Sequence, residues 1–338
     1  MVQGPKFFKI KDNKMNLDNI KGPVFVVGMP RSGTKLTRDI ISNHNDIFLS
    51  PNESKIIPTL ARDYSSPLSV QEVDEIIEIW YDSVFYQRIS KKGHTVAKDE
   101  WLQAYNEAGQ NSLAVLVESF FKILAHKNGA QIWGEKTSTY LKHYSLLMKM
   151  FPDAKFVHIV RDPRDYCLSN RRTWGKHLLR AAYRWNKFVQ KFIGEINSDN
   201  VLHIKYENLL KNPEGTAKEI CTFLGLSFSK GMLTFSEAPE KVGDARGMKT
   251  IKKDNFNKWK KYLSPDAVEK IEAFTIDTMR FYDYEPKYYK GEVKTPSGLQ
   301  KKWFKLYDGY IWFLWHKKRL GGYTSSLIFM IKQYKWKV

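Results

Sequence analysis

Val24-Phe25-Val26-Val27 runs directly into Gly28-Met29-Pro30-Arg31-Ser32-Gly33-Thr34-Lys35-Leu36, and few folds accommodate such a join. The apolar run is short and rich in β-branched residues, as a strand buried on both faces of a parallel sheet must be. Leu36, Ile40 and Ile41 then recur at helical spacing, so residues 28–34 form a turn from strand to helix. At such a turn the first helical amides have no intrahelical partner and stand at the positive end of the helix dipole, where they hold an anion without a metal. Gly28 and Gly33 enclose four residues, the spacing of phosphate-binding loops, and let the backbone curl closely around a ligand. Nucleotide phosphotransferases follow the second glycine with Lys and then Ser or Thr, whose hydroxyl holds magnesium. Here the order is Thr34 then Lys35, which points to a donor whose transferred group needs no bridging magnesium. An ordinary glycine-bearing turn remains the alternative.

A second buried-strand run, Lys155 to Val160, is followed by Arg161-Asp162-Pro163-Arg164-Asp165 and a helix through Ser169. In an open parallel sheet a ligand lies outside the carboxyl ends of the strands, so Arg161 and the loop after Val27 can face one crevice. Arg161 ends its strand and Ser169 sits on the helix that returns from it. A planar guanidinium and a hydroxyl there suit a second anion, while an Arg-Asp ion pair closing the loop is the competing reading.

Together the two segments resemble the sulfotransferases that use 3'-phosphoadenosine 5'-phosphosulfate (PAPS), nearest in pattern to bacterial and tyrosylprotein-type members. In that family Pro-Arg-Ser-Gly-Thr after a strand binds the 5'-phosphosulfate, and an Arg with a Ser eight residues on binds the 3'-phosphate. Both patterns stand here, as Pro30 to Thr34 and as Arg161 with Ser169. The resemblance extends from Gly22 to Tyr284 and includes Val201 to Leu209, similar to the family's third strand and its Tyr-Glu end. It implies donor contacts at Arg31, Ser32, Gly33, Thr34, Lys35, Arg161, Ser169 and Tyr206. Lys35 departs from the Thr or Ser that many relatives place there. PAPS is then the co-substrate and 3',5'-adenosine bisphosphate (PAP) the product, with no metal or redox cofactor.

Sulfuryl transfer needs a base for the acceptor and a cation for charge developing on the leaving phosphate. The resemblance puts Glu53 in the position of a catalytic Glu, just after the first helix. Lys136, in Gly134-Glu135-Lys136-Thr137, is similar to the turn lysine that reaches the transferring group. As a base near neutral pH, Glu53 would benefit from a pKa raised by burial. Some relatives use His, so His94, His143 and His177 are runners-up. A late basic loop, Gly247 to Lys253, offers Lys249 and Lys252 as further donor contacts, or simply as a solvated surface run.

The expected fold is α/β, three-layered around a central, mostly parallel sheet of the sulfotransferase type. Its expected parts are an amino-terminal segment (residues 1–21), a catalytic domain (22–285) and a basic, aromatic extension (286–338). Leu178, Ala182, Trp185, Val189, Phe192 and Ile196 form one helical stripe, Leu113 to His126 a second helix, and Ser264-Pro265 caps a third. Residues 64–101 and the segment Trp174 to His177 are expected to cover the acceptor cleft. Cys167 and Cys221 are too few for a disulfide framework or a metal site. With no secretory signal and no membrane-spanning run in the sequence, a cytoplasmic location is expected, membrane-peripheral at most.

Net charge is +19, and residues 286–338 carry twelve Lys or Arg, two acidic residues and thirteen aromatics. The tail therefore holds ten of the nineteen surplus charges. Basic residues beside large rings suit an anionic membrane surface or an acidic polymer, with nucleic acid the less favoured partner, or else the rings pack on the domain. The acceptor is open: a hydroxyl or amine on a glycan, glycolipid or small metabolite is favoured, and a protein tyrosine stays open although the expected lack of a signal and anchor argues against tyrosine sulfation in the secretory pathway. A kinase-like phosphotransferase and a non-catalytic basic binding module are the alternative functions.

Overall fold

Alternate residues of the strand Lys21–Val27 (β1) serve two different cores. Val24 and Val26 join one apolar cluster while Phe25 and Val27 join another, as the period-two geometry of a strand requires. The computed structural model describes residues 17–196, 198–239 and 243–320. Four more strands complete the sheet: β2 (Ile47–Ser50), β3 (Ile132–Lys136), β4 (Lys155–Val160) and β5 (Val201–Lys205). All pairings are parallel, in the order β2-β3-β1-β4-β5. From β1 the chain leads to the β2-β3 side, and from β3 it crosses to β4-β5. The switch in direction opens a crevice at the carboxyl end of β1.

The helices run in chain order as α1 (Thr34–Ser42), α2 (Ile57–Asp63), α3 (Val70–Asp82), α4 (Val84–Ser90), α5 (Lys98–Glu107), α6 (Leu113–Lys127) and α7 (Tyr144–Met150). Then follow α8 (Pro163–Trp174), α9 (Leu178–Glu195), α10 (Tyr206–Lys211), α11 (Pro213–Leu224), α12 (Trp259–Tyr262), α13 (Pro265–Phe281) and α14 (Gly298–Leu320). One face of the sheet is covered by α1 and α11, through Leu36, Ile40, Ile41 and Ile220. The other carries the larger, aromatic core, where Phe121 stacks on Trp133 at 5.0 Å and Trp80 meets Trp101 edge-on. The layers are thus helix, parallel sheet and helix, as the sequence implies.

The stripe on α9 is buried from Leu178 through Phe192, and the helix stops at Glu195, leaving Ile196 half-buried just beyond it. Ser264 accepts from the Ala267 amide and caps α13. Before α14, the buried Glu272 accepts from the amides of Lys287, Tyr288 and Tyr289 and from Arg164 Nη1 at 2.8 Å. Four donors satisfy a carboxylate that would otherwise be costly to bury, and they fasten the extension to α8 and α13.

Candidate active site

The turn after β1 curls because its backbone enters the left-handed region repeatedly, at Gly28 (φ 152°), Arg31 (φ 79°) and Gly33 (φ 97°). Gly33 has a second reason to lack a side chain: a Cβ there would lie 2.4 Å from the Tyr206 ring. Within this turn Arg31 is a non-glycine residue held at positive φ, a strain that the surrounding loop must sustain. Ser32 is wholly buried, and its Oγ has no hydrogen-bond partner among the described residues.

Arg161 reaches this loop from the end of β4. Its Nη1 donates to the Arg31 carbonyl at 3.1 Å, its Nη2 to the Asn255 carbonyl at 3.1 Å, and its guanidinium lies 4.6 Å from the centre of the Tyr206 ring. Its Nε is buried without a hydrogen-bond partner among the described residues. Arg31 Nε in turn donates to Ser169 Oγ at 3.3 Å. These groups line a cavity of about 430 Å³. The competing ion pair at the loop is formed by a different arginine: Asp162 takes Arg164 at 2.7 Å. Asp165 also faces the cavity, and burial pushes its carboxyl up while Arg161 opposes the shift.

Lys249 and Lys252 fall outside that lining, Lys249 exposed and Lys252 half-buried. Buried Asn255 and Trp259 pull the following stretch inward, so this segment presents Arg246, Asn255 and Lys258 to the cavity instead. Asn255 also donates to Tyr206 Oη at 2.9 Å. Nothing in the periodicity of so basic a run marks which of its members face inward.

On the far side of the loop opens a cavity of about 1440 Å³. Lys35, Glu53 and Lys136 line its deep wall, and Leu60, Tyr64, Val84 and Phe85 bring α2 to α4 over it. Residues 64–92 thus supply part of the covering expected from 64–101. The Trp174 to His177 segment does not line it. His177 instead stacks on Phe304 at 4.6 Å, because α14 packs there. His94, against Phe48, and His143, preceding α7, line neither cavity.

Glu53 Oε1 accepts from Lys136 Nζ at 2.6 Å and from Ser138 Oγ at 3.1 Å, while its Oε2 meets Lys55 Nζ at 2.9 Å. Burial alone would push this carboxyl up, but Lys136 and Lys55 overcome it and hold the pKa at about 2. Ser138 Oγ also lies 3.2 Å from Thr34 Oγ1, so hydroxyls connect the loop to Glu53. Beneath them Glu135 is completely buried, and among the described residues no cation pairs with it. It accepts from the Ser54 amide at 2.7 Å, from Ser54 Oγ at 2.8 Å and from Thr137, and burial pushes it up to about 7. Ser54, Glu135 and Ser138 carry no sequence signal beyond lying beside Glu53 and Lys136.

A strand-turn-helix loop with a converging arginine, and a carboxylate-lysine pair nearby, is an arrangement compatible with group transfer. The sequence pattern defining the sulfotransferase family matches residues 23–230, and this chain belongs to that family. It is 25% identical over 299 residues to an uncharacterized protein of Aquifex aeolicus (strain VF5), covering 82% of this chain but 35% of that protein. It is likewise 25% identical over 320 residues to protein-tyrosine sulfotransferase 2 of Gallus gallus, covering 82% of this chain and 78% of the relative. The sulfotransferase domain from the curacin biosynthetic pathway has the same fold, with a TM-score of 0.52 at 18% identity, over 79% of this chain and 99% of that domain.

Proposed function

We propose that this protein moves the sulfuryl group of PAPS to a hydroxyl or amine of an acceptor and releases PAP. The observation that carries the reading is the position of the loop after β1: Arg31 and Gly33 line the Arg161 cavity, and Lys35, just beyond them on α1, lines the Glu53 cavity. Ser32 Oγ, within that loop, and Arg161 Nε are buried donors without partners among the described residues, and an anionic ligand would satisfy both. The 3'-phosphate is assigned to Arg161 and Ser169, the adenosine side to Tyr206, and the 5'-phosphosulfate to residues 31–35 at the amino end of α1. The oxygen or nitrogen of the acceptor attacks sulfur, its proton passes to Glu53, and the bond from sulfur to the 5'-phosphate oxygen breaks. Lys136 meets the charge left on that oxygen. Drawing Lys136 toward the donor also frees Glu53 of the cation that most lowers its pKa, making it a stronger base.

The acceptor is assigned to the larger cavity, whose volume exceeds what a drug-sized ligand fills. A glycan, glycolipid or small metabolite fits its mixed lining. Protein tyrosine is a second acceptor reading, favoured by what the Gallus gallus relative is named for. Lys249 and Lys252 are retained as contacts only if the loop carrying them closes over bound nucleotide. The amino-terminal segment, catalytic domain and basic extension at 1–21, 22–285 and 286–338 belong to the same proposal, as does a location in the cytoplasm.

Thermal unfolding tests the donor. Stabilisation by PAP and not by ATP with magnesium is expected, whereas preference for ATP would favour a phosphotransferase and no response to either a non-catalytic module. Radiolabelled sulfate transferred from PAPS into cell extract, then separated into lipid, glycan, peptide and small-molecule fractions, identifies the acceptor.

A further inference from the structure

Helix α14 divides its side chains between two faces. Phe304 is buried, Tyr307 packs edge-on to His177, and Asp308 binds Arg180 Nη1 at 2.7 Å and the His177 amide at 3.0 Å. That face is spent on the domain. On the other, Leu299, Trp303, Leu306, Tyr310 and Leu314 are exposed by 80, 52, 73, 62 and 38%, Trp303 standing at the border of the two faces with its ring edge-on to His177 at 5.0 Å. Their spacings of four, three, four and four place them on one line along a helix of 23 residues. Five of the eleven exposed large apolar side chains among the described residues fall on this single line.

The charge beside the line says what covers it. Residues 298–320 contain six Lys or Arg and one acid, Asp308, which is already engaged. Lys302 and Lys305 are exposed next to the apolar line. A second copy of this helix would bring like charges together, which disfavours self-association. A polyanion would satisfy the lysines but offers nothing to Leu299, Leu306 and Leu314. A surface presenting hydrocarbon directly beneath anionic groups answers both. No helix among the described residues is long and apolar enough to cross a membrane, so the helix would lie on such a surface without spanning it.

We propose that α14 docks this protein in the headgroup plane of an anionic bilayer through Leu299, Trp303, Leu306 and Tyr310, with Lys302 and Lys305 meeting lipid phosphates. The face lies outside both cavities, so the proposal stands or falls independently of the sulfotransferase chemistry.

Sedimentation of the full chain with vesicles of phosphatidylcholine, with and without phosphatidylglycerol, tests it. The protein should pellet with the phosphatidylglycerol vesicles and be released by salt. Leu306→Glu combined with Tyr310→Glu should leave it in the supernatant, and Lys302→Ala and Lys305→Ala should each weaken partitioning about fivefold. All four positions are exposed, and an unchanged melting curve verifies that each variant folds. Equal pelleting with and without phosphatidylglycerol, or full pelleting of the Leu306→Glu, Tyr310→Glu protein, overturns the proposal. So does retention on heparin without binding to either vesicle, which would identify an acidic polymer as the partner.

Discussion

Lys136 Nζ lies 2.6 Å from Glu53 Oε1, so the two residues assigned to opposite ends of the reaction form one ion pair in the free protein. Each sets the other's readiness. The lysine keeps the carboxylate ionised and weakly basic, and under the proposed function the carboxylate gives the lysine up when the donor's anion competes for it.

Glu53→Gln should lower kcat by about a hundred- to ten-thousandfold, the usual contribution of a positioned base. PAP should still raise the melting temperature, since Glu53 lines the other cavity. Single-turnover transfer together with a thermal shift separates the two roles, and lost PAP binding would reassign Glu53 as a binding residue.

The pair also makes a pH prediction. With a pKa of about 2, Glu53 is ionised throughout the ordinary range, so kcat/KM should show no acid limb from it near neutrality. In Lys136→Ala burial loses its main opposition, and an acid limb should move up toward neutral pH. For stability the sign is that of a depressed carboxyl: the contribution is present above the unfolded value of 4.5 and is lost as pH falls toward 2.

Glu135 behaves oppositely. Its pKa of about 7 exceeds the unfolded value of 4.5, so its contribution is complete below 4.5 and is lost as pH rises through 7. The loss is on the order of 3 kcal/mol at most. Glu135→Gln, whose amide replaces the protonated acid, should flatten the fall in melting temperature between pH 5 and about 8. A parallel fall in both proteins would show that Glu135 does not titrate there.

Arg161→Ala should abolish the stabilisation by PAP, because it removes the guanidinium lying across Tyr206. Ser169→Ala should weaken PAP by about ten- to a hundredfold, the range for one hydrogen bond to a charged group. Calorimetric titration of PAP measures both. Wild-type affinity in either variant would remove that residue from the donor site.

Gly33→Ala combines a left-handed backbone with a contact of 2.4 Å to the Tyr206 ring. The strain alone should cost about 1–3 kcal/mol. Adding Tyr206→Ala should recover the steric part and not the backbone part, so denaturant unfolding of the single and double variants should be non-additive.

The sequence by itself determined the parts whose cause is local. Val24 to Val27 must be a buried strand, Gly28 to Thr34 must be a tight turn into a helix, and Arg161 with Ser169 must bracket a later strand-helix junction, because hydrophobic period and glycine placement act over a few residues. The parallel sheet and the helix stripes follow from the same patterns. What only the tertiary structure decided is how distant segments meet. Glu53 has its pKa lowered, against the benefit expected from burial, because β2 pairs with β3, so Lys136 at the end of β3 meets Glu53 just after β2 at 2.6 Å. Arg246 and Lys258, in place of Lys249 and Lys252, face the smaller cavity because Asn255 and Trp259 are buried. The aromatic residues of α14 divide into packed and exposed sets because one side of the helix meets His177 and Arg180. Electrostatics and packing sum over everything within several ångströms, whatever its distance along the chain, and no linear pattern records that sum.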